Sequence, residues 1–219
     1  MVRLLVALGL GLLGTGILGS LGVWQVKRLA EKQALLAEIQ AMIDAPPVAL
    51  PALVDPGRDR FLPVTVAGRL TGESARVLAA EKGPGAGVHL IAVMDTGARR
   101  VLVDLGFLAE GQVFVPEGAW EIAGNLHWPR DADGYTPPPD LARGLWFSRA
   151  VAPLAQHLRT DPVLVVARSA LPEGPAPRPV GPEGIRNDHL SYAVTWFLLA
   201  ATWAGMTAYL MWRIRRGEA

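Results

Sequence analysis

Asn187-Asp188-His189-Leu190-Ser191-Tyr192-Ala193-Val194-Thr195-Trp196-Phe197 opens the last apolar run of this chain, which continues without a charge to Trp212. That run, 190–212, holds about 23 residues, enough for an α-helix to cross a hydrocarbon core of about 30 Å. A second charge-free run of similar length spans 4–26. In lipid the backbone must satisfy its own polar groups, so both runs are read as transmembrane helices. The rest of the 219-residue, 51% hydrophobic chain lies between them. It is long enough for one domain with its own core and too short for two. The expected organisation is a transmembrane helix at 4–26 continuing as helix to about 44, a domain at 45–186, and a transmembrane helix at 189–212.

The first run also has the makings of a cleaved signal peptide, with Arg3 ahead of it. It is longer than a signal core of roughly 7–15 residues, and it ends at Trp24, Lys27 and Arg28, as an anchored span does at an interface. Arg213, Arg215 and Arg216 crowd the far end of the second run, while Arg186 stands beside Asp188 at the near end. This bias puts the C-terminus in the cytoplasm. Two spans then return the N-terminus to the same side and place the domain outside. For a bacterial chain that means a multi-pass inner-membrane protein with a periplasmic domain. Lys27, Arg28 and Lys32 oppose this orientation, but positive-inside counting weighs little across a long translocated segment.

A net charge of +1 leaves no basic surplus to displace counterions from a nucleic acid. The chain has no cysteine, which excludes disulfides and thiolate metal sites and disfavours a copper(I) chaperone, whose thiolates are missing. The four histidines, His89, His127, His157 and His189, lack the short spacings of zinc-binding helices. Ser148 and His157 have no elbow motif or placed acid around them. Gly83, Gly85 and Gly87 lack the Lys-Ser/Thr of a phosphate loop and read as a strand-linking turn. No catalytic pair emerges, and the chain is not read as an enzyme.

Leu29, Leu36, Ile39 and Ile43 keep helical spacing beyond the first span, and Pro46 and Pro47 stop that helix near Asp44. From Arg60 the texture changes to short Val- and Leu-rich runs divided by Gly, Pro and Asp. The segments 62–70, 75–80, 88–94, 100–108, 112–115 and 120–126 are predicted strands. Asp95-Thr96-Gly97 and Glu110-Gly111 are the turn signals between them. Tight linkage implies a mostly antiparallel meander, a curled sheet or small barrel that protects its edges. Trp146 and Phe147 bring the chain back to the core, 150–158 is a predicted short helix, and 162–168 a last strand. The Pro- and Gly-rich stretch 172–184 is an irregular connector. The fold class is thus a membrane α+β protein, two transmembrane helices flanking one β domain.

His189 draws the functional reading. Asp188 or Asn187 is placed to cap the second helix, which puts His189 in its first turn. The positive end of the helix dipole and the adjacent apolar phase both disfavour an imidazolium. A neutral imidazole is the form that ligates haem iron. Tyr192, Trp196 and Trp203 follow at offsets of three, seven and fourteen, so they share its face. The alternative is an anchoring histidine within an aromatic belt at the membrane edge. Trp196 and Trp203 lie one to three turns deeper than such a belt. His89 reads as a hydrogen-bonded or half-exposed strand residue, and His127 and His157 as ordinary surface or helix residues.

These residues also carry a resemblance. N-D-H-L-S-Y-A-V-T-W-F at 187–197 resembles the N-N-H-x-x-Y-A-x-x-W-F signature of the Surfeit locus protein 1 (Surf/Shy) family. L-G-V-W-Q-V-K-R-L-A-E-K at 21–32 resembles that family's first-helix signature around W-Q-x-x-R-L. P-V-T-V-A-G at 63–68, G-A-G-V-H-L-I at 85–91 and V-L-V-D-L-G-F at 101–107 fall in the family's order. Leu105 stands where the family usually carries an arginine, Val88 and Glu31 where it carries aromatics, and Asp188 in place of its second asparagine.

The resemblance implies an assembly factor of haem–copper cytochrome c oxidase that binds haem a and assists its insertion into the catalytic subunit. In that reading His189 ligates iron, Tyr192, Trp196 and Trp24 wall the porphyrin, and Arg28 meets a propionate. The oxidase catalytic subunit is then the implied partner, with a haem a synthase as a further candidate. The alternative function is a membrane-anchored scaffold that stabilises a nascent oxidase subunit and binds no haem itself.

Overall fold

The computed structural model describes residues 1–182 and 187–217; the connector's Gly184 and the flanking Arg186 lie outside the described residues. Ten elements follow one another: α1 (Val2–Asp44), β1 (Val48–Ala49), β2 (Pro63–Glu81), β3 (Gly85–Asp95), β4 (Arg100–Ala109), β5 (Glu117–Leu126), β6 (Leu145–Trp146), α2 (Val151–Leu158), β7 (Leu164–Ala167) and α3 (His189–Arg216). They divide into two compact units, Met1–Glu38 with Pro182–Ala219, and Ile39–Gly181. Two long apolar helices thus flank a mixed, mostly antiparallel sheet with one short helix, the expected fold class.

The sheet closes on itself. β2 pairs with β5 through Pro63–Thr71 and with β3 through Arg69–Glu81, and β4, β7 and β5 complete the circuit from β3. One strand serves two neighbours because it bends. The β2–β3 register breaks between Leu70 and Ser74, around Gly72 at φ +85°, a backbone state that glycine adopts without a Cβ penalty. The predicted strands 62–70 and 75–80 are therefore one bent strand, and Thr71-Gly72-Glu73 is a bulge where the sequence suggested a turn.

Two further departures have physical causes. Residues 112–115 form no strand. Gly111 (φ +83°) and Pro116 bracket them, and β5 already pairs with β2 and β7. Val113 and Val115 stay exposed while Phe114 packs on the core. The sheet is also not a pure meander, because β7 enters between β4 and β5, parallel to β4 and antiparallel to β5. A parallel neighbour needs a crossover, and the segment that contains α2 supplies it.

The core has two layers. Val101, Val103 and Leu105 of β4 face the barrel interior with Val64, Leu90, Met94, Ile122 and Leu126. Leu102 faces the other way, among Ile91, Val93, Leu164 and the helical stripe Val151, Leu154, Ala155 and Leu158. Covered on both faces, β4 reads as a continuous apolar run. Its polar residue Asp104 is fully buried.

The last turn of α1 belongs to this unit and ends on borrowed donors. The final carbonyls of a helix lack intrahelical partners, and α1 has no basic residue in its last turn. Buried Asn125 donates through Nδ2 to the carbonyls of Ile43 (3.1 Å) and Phe61 (2.9 Å). Arg168 also donates to Ile43 O and, through Nε, to Asn125 Oδ1 at 2.9 Å. A guanidinium at this end complements the negative pole of the helix. Asn125→Ala strands the Phe61 carbonyl and a guanidinium N–H and leaves Ile43 O to Arg168 alone, so the expected cost is roughly 2–4 kcal/mol. A thermal melt of the detergent-solubilised protein should show Tm lowered by several degrees; an unchanged melt would show that this cap adds no stability.

Candidate functional site

α1 and α3 are both long and apolar enough to span a membrane. Leu12, Leu13, Ile17, Leu198 and Met206 are exposed, as suits side chains that face lipid rather than water. Glycines line the contact between the helices. A Cβ on Gly11 would collide with Thr207, and one on Gly14 with the Trp203 indole. On Gly22 it would sit 2.7 Å from the Phe197 ring. Position rises along α1 as it falls along α3, so the pair is antiparallel. Ala193 and Ala200 of α3 are buried, and Trp203 Nε1 donates to Leu10 O at 3.3 Å. Small residues let two membrane helices approach closely where the hydrophobic effect cannot drive them together.

Three residues beyond Gly22 the seam reaches Gln25, a polar side chain only 8% exposed. Its Oε1 lies 2.8 Å from His189 Nδ1. An amide oxygen only accepts, so Nδ1 is the donor in this bond, and in the neutral tautomer the lone pair then lies on Nε2. His189 is the first residue of α3, as expected. The expected side-chain cap is absent: Asp188 occupies the cap position without such a bond. Asn187 Oδ1 is buried without a hydrogen-bond partner among the described residues. Ser191 Oγ donates to Asp188 O at 2.8 Å.

The other predicted residues surround this pair less tightly. Trp196 is half-buried, whereas Tyr192 is 55% and Trp24 52% exposed. Arg28 is exposed and its Nη1 meets Glu31 Oε2 at 2.7 Å. Among the described residues no hydrogen bond or ring contact joins Tyr192, Trp196, Trp24 or Arg28 to His189. Trp203 is committed to Gly14 and Leu10 and does not continue the aromatic wall. The sequence reading noted Gln25 within the first-helix signature but gave it no role. The available signal was its position at offsets of three, eight and three along Gly11, Gly14, Gly22 and Gln25, one helical face.

A second polar cluster lies inside the barrel unit. Asp104 Oδ1 accepts from Gly106 N (2.9 Å) and pairs with His89 Nδ1 (3.3 Å), and Oδ2 meets Arg149 Nη1 at 3.3 Å. Arg149 Nε reaches on to Asp131 at 3.2 Å. This compensates a buried carboxylate, and His89 is the hydrogen-bonded strand residue expected. His157 is exposed, its ring edge-on to Trp146 at 5.4 Å. His127 departs from expectation. It stacks on Phe61 at 5.5 Å. Desolvation, then the charges of Arg60 and Arg149, lower its pKa from 6.5 to about 4.

Comparison with known proteins gives a consistent picture. The family model described as the SURF1 family matches residues 12–201. Surfeit locus protein 1 of Rattus norvegicus is 28% identical over 230 residues, covering 88% of this chain and 70% of its own. The human protein of that name is 27% identical over 230 residues, with coverages of 88% and 72%. A SURF1-like protein of Rickettsia felis is 27% identical over 206 residues, with coverages of 84% and 87%.

His127 makes the barrel unit pH-sensitive. Its folded pKa of about 4 lies below the unfolded 6.5, so only the unfolded chain takes up this proton in between. Stability is fully present above pH 6.5, falls as pH drops toward 4, and loses nothing further to His127 below that. Partial exposure screens the effect to a modest size. His127→Gln should flatten the pH dependence of Tm between 6.5 and 4; an unaltered slope would contradict the buried neutral imidazole.

Proposed function

This chain belongs to the SURF1 family of cytochrome c oxidase assembly factors, and on that premise we propose that it binds haem a and passes it to the oxidase catalytic subunit. Haem a is cargo in this reading, and the chain performs no turnover of its own. The observation that carries the proposal is the bond between His189 Nδ1 and Gln25 Oε1. In the neutral ring this bond leaves the lone pair on Nε2, the kind of nitrogen that would hold haem iron. The donor set therefore fits the group. Trp196 and Tyr192 follow His189 along α3 and supply apolar surface for a macrocycle. Trp24 flanks Gln25 on α1. Arg28, one turn further on, supplies a guanidinium for a propionate once its exposed bond to Glu31 is exchanged, and exposed pairs of this kind are weak.

The same reading places both termini in the cytoplasm and the barrel in the periplasm of a bacterial inner membrane. Its support is the group Arg213, Arg215 and Arg216 in the last turn of α3. A haem a synthase is the natural source of the cargo. The scaffold reading, in which the chain holds a nascent subunit without haem, draws on one fact. Among the described residues no hydrogen bond or ring contact joins Trp24, Tyr192 or Arg28 to His189.

Co-expression with a haem a synthesis pathway separates the two. Wild-type protein purified from such cells should carry extractable haem a with a Soret band, and His189→Ala should fall to background. Equal haem a in both proteins would remove the ligand assignment. Oxidase subunits co-purifying in the absence of any haem a would favour the scaffold.

A further inference from the structure

We propose that Gln25 is the positioning residue for His189: across the helix seam its amide oxygen selects the Nδ1–H tautomer and presents Nε2 as the free nitrogen. Three observations converge on this role, which rests on the reading of His189 as the cargo ligand.

First, Gln25 is a buried polar side chain on a helix face otherwise made close-fitting by Gly11, Gly14 and Gly22. Burying an amide in an apolar segment is costly without a partner, and helix packing alone is served by the glycines. Second, the 2.8 Å bond to Gln25 is the only hydrogen bond the His189 ring makes among the described residues. Nε2 has no hydrogen-bond partner among them. Third, Asn187 Oδ1 makes no hydrogen bond among the described residues, so it does not orient the start of α3 as a cap. The ring is thus held from the other helix.

The chemistry follows from which end of the amide faces the ring. An amide NH₂ facing Nδ1 would require a lone pair there and would move the proton to Nε2, abolishing the donor. The oxygen does the reverse, and it raises the basicity of Nε2 as an outer partner does for a metal-bound histidine. A carboxylate at position 25 would push further toward an imidazolate and hold iron(III) more strongly. A neutral amide orients the ring with a weaker pull, which suits a group that must later be given up.

The test uses the full chain in lipid nanodiscs as wild type, Gln25→Leu, Gln25→Glu and His189→Ala. Nitrogen NMR of ¹⁵N-histidine-labelled protein without haem reads the tautomer directly, and His189→Ala assigns the signal. Wild type should show one neutral Nδ1–H form, and Gln25→Leu a mixture of tautomers. With haem a loaded, Gln25→Leu should retain it roughly tenfold less well, and Gln25→Glu should shift the midpoint potential to more negative values. A His189 signal in Gln25→Leu identical to wild type overturns the proposal. If His189→Ala keeps its haem a, the ligand reading fails by itself, and the NMR result still decides whether Gln25 sets the tautomer.

Discussion

The close approach of α1 and α3 along Gly11, Gly14 and Gly22 is the constraint on which the candidate site depends. Each glycine lies under a specific side chain of the opposite helix, Thr207, Trp203 and Phe197, with no space for a Cβ. Three such contacts in antiparallel order fix the register of one helix against the other. Sliding either helix by one turn, about 5.4 Å, would break all three and part Gln25 from His189. A hydrogen bond between two helices is therefore a product of steric packing. It puts a proton on one ring nitrogen and leaves the other available.

The barrel unit solves a different problem, how a strand-rich chain avoids open edges. It does so by bending β2 at Gly72 so that a single strand pairs with both β3 and β5, and by inserting β7 into the remaining gap. Its polar interior is compensated locally. Asp104 is met by Arg149 and His89, and Asn125 with Arg168 closes the end of α1. Each of these groups has a partner, although Arg60 Nε, Arg100 Nε and His127 Nδ1 of the same unit are buried without one among the described residues. In the helix unit His189 has its one ring bond, to Gln25, through Nδ1.

Much of the fold was legible in the sequence because the signals were long. Two charge-free runs read as long apolar helices, and Val-rich segments with Gly and Asp turns read as a mostly antiparallel sheet, curled or closed. The misses share a cause: short-range patterns do not say which neighbour a segment will find. Gly72 marks a bulge as readily as a turn, the alternation at 112–115 had no free strand edge to join, and the parallel insertion of β7 depends on residues far away in sequence. His127 looked ordinary because its burial comes from tertiary packing around Phe61. At the site, His189 was visible as a costly residue at a helix start. Trp203 does share the face of His189, as its offset of fourteen indicates, but the offset does not reveal that α1 occupies that face. Gln25 gained a role only when the partner helix was in place.

The central claim is that the glycine seam delivers the imidazole. Gly22→Leu changes neither Gln25 nor His189 but forces the helices apart one turn from their bond. Haem a content of this variant, measured after co-expression with a haem a synthesis pathway, should fall well below wild type while the barrel unit melts normally. Wild-type haem a content in Gly22→Leu, with the Nδ1–H signal of His189 unchanged, would contradict the account.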